Sequence, residues 1–145
     1  MTIFEELRTD HNKQRKLLEL LLGTSGNEPE RKQYYQQLKV QLDQHAAAEE
    51  RYFYNPLIED DATIEMSRHG IAEHHEIDEL VETLEQTEMS SPAWLQHFKN
   101  LQHKVLHHLE DEEQGFFQRA GKVLNEEEKE KLGKDYRNMM KEKGL

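Results

Sequence analysis

The sequence predicts an all-α fold, an antiparallel up-down four-helix bundle made from two repeated helical hairpins, with a short helix appended at the C-terminus. Three observations predict it. Helix breakers are few and localised, three prolines and seven glycines in 145 residues, and the turn signals Gly23 to Asn27, Asn55-Pro56 and Ser91-Pro92 form short clusters. Between those clusters apolar residues recur three or four apart, the period of a helix with one buried face. The second half of the chain also repeats the first at a fixed offset.

The elements follow from the punctuation. A first helix spans about 2–22, with Thr2 and Glu5 as a capping box, and Gly23-Thr24-Ser25-Gly26-Asn27 ends it. A second is expected to start after Asn27, with Glu30 as its box partner, and to run to about 54, where Asn55-Pro56 breaks or kinks it. A third covers about 61–88. Ser91-Pro92 supplies an N-cap and an N1 proline for a fourth, about 92–120, which Gly121 helps to close. Asn125 starts a short, highly charged fifth helix over about 126–143, expected as a flap on the outside of the bundle. Short connections make successive helices antiparallel neighbours. No linker or low-complexity stretch divides the chain, so a single domain is expected over 1–145, with the bundle at about 2–120.

Composition excludes several function classes. The net charge of −11 argues against a nucleic-acid partner, which calls for a basic face, and equally against an anionic membrane surface. No apolar run approaches the ~20 residues that span a bilayer. The N-terminus, Met1-Thr2-Ile3-Phe4-Glu5-Glu6, has neither a basic nor an apolar leader segment, so a cytoplasmic protein is expected. The absence of cysteine excludes disulfides, thiolate metal sites and iron–sulfur clusters. Nine histidines in so short a chain then need a cause.

The repeat supplies one. Leu38, Leu42, His45, Glu49 and Phe53 match Leu101, Val105, His108, Glu112 and Phe116, each pair 63 residues apart. The spacings 4, 3, 4, 4 trace one helix face. At the same offset Leu17, Leu18 and Leu21 match Leu80, Val81 and Leu84, and His11 matches His74; each of these histidines follows an acid, Asp10 or Glu73. Two like hairpins packed about a pseudo-twofold axis turn His11, His45, Glu49, His74, His108 and Glu112 toward one interior. Polar groups there are costly unless paired or coordinated. A pair of cations resolves the cost, because carboxylates bridge metal pairs about 3.5–4 Å apart.

A lone His-x-x-x-acid pair is a weak signal. The chain has six, at His45, His69, His74, His75, His107 and His108, and with 30 acids in 145 positions about two are expected by chance. Aligned apolar flanks at a single offset select His45/Glu49 and His108/Glu112. His69, His75, His97, His103 and His107 are expected on other faces. A ferritin-like centre would use Glu-x-x-His motifs, and the chain contains none. Tyr52, Phe53, Phe116 and Phe117 are expected in the core, and Trp94 and Phe98 in packing.

These residues resemble the hemerythrin family, and more closely its HHE cation-binding branch. The pattern is Asp10-His11, then His45-Ala46-Ala47-Ala48-Glu49-Glu50, then Glu73-His74, then His108-Leu109-Glu110-Asp111-Glu112-Glu113, with aromatic residues after each acidic pair. The resemblance covers about residues 2–120. It implies a non-haem di-iron site, two Fe ions with carboxylate and oxo or hydroxo bridges, ligated by His11, His45, Glu49, His74, His108 and Glu112. It also implies a small-molecule partner: dioxygen, nitric oxide or peroxide. Two positions depart from the oxygen carriers of the family. Those carriers have a fifth histidine where this chain has Asp78, which the repeat pairs with Arg15; this puts simple oxygen carriage in doubt and leaves Asp78 to coordinate, to bond a ligand histidine or to pair with Arg15. The carriers also place the last carboxylate at the position of Glu113, whereas the repeat favours Glu112.

Donor chemistry agrees with iron, zinc or manganese, since imidazole with carboxylate suits borderline ions, and calcium or magnesium would call for oxygen shells. Six protein ligands leave open positions, which imply small-molecule chemistry. An iron storage, delivery or sensing module and a helical interaction protein with another divalent metal are the alternatives. The sequence decides neither between an enzyme and a binding protein nor the oligomeric state.

Overall fold

A computed structural model describes residues 1–145, and every regular element in it is helical. Helix α1 is Ile3–Leu22 and α2 is Pro29–Glu49, which continues through Glu50–Tyr54 and Asn55–Leu57. Helix α3 is Ile64–Glu85, and α4 is Pro92–Asp111, which continues through Glu112–Phe116 and Phe117–Val123. Helix α5 is Glu126–Glu142. The principal helix pairings are α1 with α2, α3 with α4, and α5 against both α1 and α2.

Local chemistry sets most boundaries. Thr2 with Glu5 and Asn125 with Glu128 form capping boxes, and the Ser91 hydroxyl caps α4 ahead of Pro92. Helix α2 departs from expectation at its start. Its N-cap is Glu28, because Pro29 takes the N1 position, and the Glu28 carboxylate accepts from the Ser25 amide instead. Asn27 lies outside the helix. Gly121 does not close α4; the helix runs two residues further and ends where Leu124 turns extended.

Pro56 does not break α2 either. Both long helices of the repeat pass through one wide π turn immediately after Glu49 and before Phe117: the Asn55 amide donates to Glu50 O, and the Phe117 amide to Glu112 O. The proline has no amide to give, and the wider turn accommodates it. Its packing consequence is visible in both copies. Consecutive aromatics, Phe53 with Tyr54 and Phe116 with Phe117, are all buried. Tyr54 thus takes the core place expected for Tyr52, which is only half-buried.

The core has two apolar clusters. One gathers Ile3, Leu7, Phe53, Tyr54, Phe117, Tyr136 and Met140. The other gathers Leu18, Leu38, Leu42, Val81, Trp94, Phe98 and Leu101, with Trp94 and Phe98 stacked at 5.6 Å. A layer of buried polar side chains lies between them. The fifth helix is more than an outer flap. Gly133 sits against the start of α1, where an added Cβ would meet Met1 O at 2.6 Å, and Tyr136 and Met140 are fully buried. The amphipathic face of α5 is therefore part of the core.

Candidate metal centre

All six residues singled out by the repeat are buried, none more than 5% exposed, and the bundle brings them together. His11, His45, Glu49 and Glu112 offer donor atoms within 4.8 Å of one another. Glu49, His74 and His108 form a second such group. Glu49 belongs to both, and Glu112 Oε1 also lies 3.5 Å from His108 Nε2. The result is two adjoining pockets of two imidazoles each, with the two carboxylates between them.

The arrangement repeats with the sequence. Glu112 Oε1 approaches His11 Nε2 at 3.1 Å, and the equivalent Glu49 Oε1 approaches His74 Nε2 at 2.9 Å. Behind these imidazoles, His11 Nδ1 meets Glu113 at 2.6 Å, and His74 Nδ1 meets Glu50 at 2.8 Å. Glu113 therefore sits on the outer side of His11, also paired with Arg15, while Glu112 faces the interior.

The other two histidines break the symmetry. His108 Nδ1 contacts Glu73 directly at 2.9 Å. The equivalent acid for His45 is Asp10, one methylene shorter, and Tyr136 of α5 fills the gap. Its hydroxyl lies 2.6 Å from His45 Nδ1 and donates to Asp10 at 2.5 Å. Arg137 then pairs with both Asp10 and Glu6. Tyr54 donates to Glu112 Oε2, and Gly70 on α3 leaves the room its ring occupies, since a Cβ there would overlap the phenol.

Electrostatics follow from this network. Burial alone would lower the His11 and His74 pKa values, but carboxylates on both sides of each ring raise them to about 9. Burial and the neighbouring charge of His11 push His45 down to about 3, so it is neutral and presents a free Nε2 lone pair while Nδ1–H donates to Tyr136. Burial would raise Glu113, yet His11 and Arg15 hold it at about 2. Burial and the adjacent carboxylates keep the Tyr54 and Tyr136 phenols protonated.

Five buried polar atoms lack an aligned hydrogen bond: His11 Nε2, His45 Nε2, His108 Nε2, Glu49 Oε2 and Glu112 Oε1, although His11 Nε2 and Glu112 Oε1 make an ion-pair contact at 3.1 Å. Each such atom costs about 1–3 kcal/mol when left bare. All five belong to the two adjoining pockets and offer donor atoms to a metal cation. Residues 2–120 match the profile of the hemerythrin HHE cation-binding domain. The chain belongs to that family. Among solved structures, a hemerythrin HHE cation-binding-domain protein from Mycobacterium kansasii shares the fold, with a TM-score of 0.89 over 98% of this chain and 86% of its own, at 22% identity. No curated protein matches the sequence significantly. No helix of this HHE domain is long and apolar enough to cross a membrane.

The remaining expectations divide. His69, His75, His103 and His107 are exposed and His97 half-buried, all off the buried layer. Asp78 is exposed and does not pair with Arg15, which turns to Glu113 and Asn12. The outer partners Glu50, Glu113, Asp10 and Glu73 carried a signal, because they obey the 63-residue offset. Tyr136 carried none: its helix has no counterpart in the repeat.

Proposed function

We propose that this HHE domain is a non-haem di-iron protein that binds, senses or reacts with dioxygen, nitric oxide or peroxide. His11 and His45 would hold one iron, His74 and His108 the other, with Glu49 and Glu112 between them. The single observation that carries this reading is the set of five buried nitrogen and oxygen atoms without an aligned hydrogen bond, in two pockets sharing a carboxylate. Iron bound there would supply open coordination positions and a redox couple.

The chain's own residues prepare the site for a small guest. A cavity of about 10 Å³ adjoins it, lined by Gln14, Leu42, His45, Ala46, His74, Ile77, Asp78 and His108. That is close to the space one water molecule needs, a size that suits a small guest such as a diatomic. Asp78, at the position where the oxygen carriers have a fifth histidine, is exposed and lines its outer side. Phe53, Phe116 and Phe117 close the opposite side with apolar surface. Glu50, Glu73, Glu113 and Tyr136 fix the four rings through Nδ1, which turns every Nε2 inward.

Metal analysis and visible spectroscopy on protein purified without a histidine tag test the proposal. Wild type is expected to hold about two irons per chain, with an absorption spectrum that changes on adding azide or oxygen. Glu49→Ala removes the carboxylate common to both pockets and is expected to impair binding of both ions. Retention of two irons by that variant would overturn the assignment.

A further inference from the structure

Two of the six His-x-x-x-acid pairs stay outside the buried centre yet face each other across α3 and α4. His69 and Glu73 lie one turn apart on α3, and His107 and Asp111 one turn apart on α4. His107 Nδ1 is 3.3 Å from Asp111 Oδ2 and 3.9 Å from Glu73 Oε2. His69 Nε2 is 3.6 Å from Glu73 Oε1. One donor atom each from His69, Glu73 and Asp111 falls within 4.8 Å of the others. The histidine side chains are 59% and 58% exposed, and a cleft lined by His107, Asp111, Gln114 and Arg119 opens beside them.

The geometry points to a further metal position on the outside of the α3–α4 hairpin, where His69, Glu73, His107 and Asp111 take a divalent first-row cation such as zinc, cobalt or ferrous iron. Spacing of four puts both donors of each helix on one face; packing brings His69, Glu73 and Asp111 together, and the exposed His107 adjoins Glu73 and Asp111. Two imidazoles with two carboxylates select borderline ions over calcium or magnesium. The open cleft leaves room for water to complete the shell.

Glu73 joins this position to the interior. Its Oε1 also holds His108 Nδ1 at 2.9 Å, so one carboxylate separates the outer ion from an imidazole of the buried centre. The competitor is Lys104, whose ammonium lies 3.8 Å from Glu73 Oε2. Lys104 makes its closer pair with Glu76 and can withdraw toward it. An exposed site that must first shed a lysine binds more weakly than a buried one.

Zinc uptake by the metal-free chain, followed by equilibrium dialysis, tests the inference. His69→Ala/His107→Ala changes two exposed side chains, so the fold is retained, and circular dichroism checks this. The double variant is expected to bind one zinc fewer than wild type, and Lys104→Gln to bind the outer zinc more tightly. Glu49→Ala/Glu112→Ala disables the buried centre and is expected to keep the outer zinc, which separates failure of one site from failure of the other. Wild-type stoichiometry in His69→Ala/His107→Ala overturns the outer site, whatever the buried centre does.

Discussion

Asp10 and Glu73 occupy equivalent places in the two copies and differ by one methylene. That difference decides how two of the four imidazoles are oriented. Glu73 reaches His108 unaided, whereas Asp10 reaches His45 only through the Tyr136 hydroxyl. Tyr136→Phe leaves His45 Nδ1–H and the Asp10 carboxylate without their shared partner inside the protein. We expect a loss of about 1–3 kcal/mol in stability and a 10–100-fold weakening of metal binding, as is typical when a hydrogen-bond partner of a ligating histidine is removed. Lengthening the acid should compensate. Asp10→Glu combined with Tyr136→Phe recreates the direct contact made by Glu73, and is expected to recover much of the metal affinity in a competition titration. No recovery would mean that Tyr136 acts through packing alone.

At the scale of elements, the π turns and α5 do what regular helices could not. In a uniform α-helix, adjacent residues point about 100° apart, so only one of Phe53 and Tyr54 would face fully inward. The wide turn buries both and delivers the Tyr54 hydroxyl to Glu112. The tail helix was legible as a helix, through its Asn125 cap and charged face, but its docking was not. Docking depends on Gly133, where the backbone of Met1 to Ile3 comes within 2.6–2.8 Å of a would-be Cβ. Backbone cannot swing aside as a flexible side chain can. Gly133→Ala is therefore expected to cost about 1–3 kcal/mol, seen as a melting temperature several degrees lower. It should also weaken metal retention, because Tyr136 would move with the helix. An unchanged melting temperature would show that α5 does not need this close approach.

For the whole molecule, two apolar clusters hold the bundle around a layer of ionisable groups. In the metal-free chain that layer neutralises itself with protons. His11 and His74, with pKa values of about 9, carry them at pH 7, as does His108, which burial would lower but Glu112, Glu49 and Glu73 hold well above the ordinary imidazole range. A ligating Nε2 must be free of its proton, so a cation competes with protons for these sites. Metal uptake at pH 7 is then expected to release about three protons from these three rings. The apparent affinity should rise as pH increases from 7 through 9. Titrating metal into weakly buffered protein with a pH indicator measures the release directly. An affinity that stays flat between pH 7 and 9 would show that His11 and His74 do not give up protons to the metal.

By itself the sequence determined the helix count, the all-α class and the six inward side chains, because each is a matter of period. Four-residue spacing selects a helix face, and a 63-residue offset says that two faces are alike. The tertiary structure alone decided what stands behind those faces. Tyr136 at His45 and the facing of His69–Glu73 with His107–Asp111 both depend on contacts between helices, whose rotation and depth come from packing. Periodicity tells which way a side chain points along its own helix, and only the packed bundle determines what it meets there.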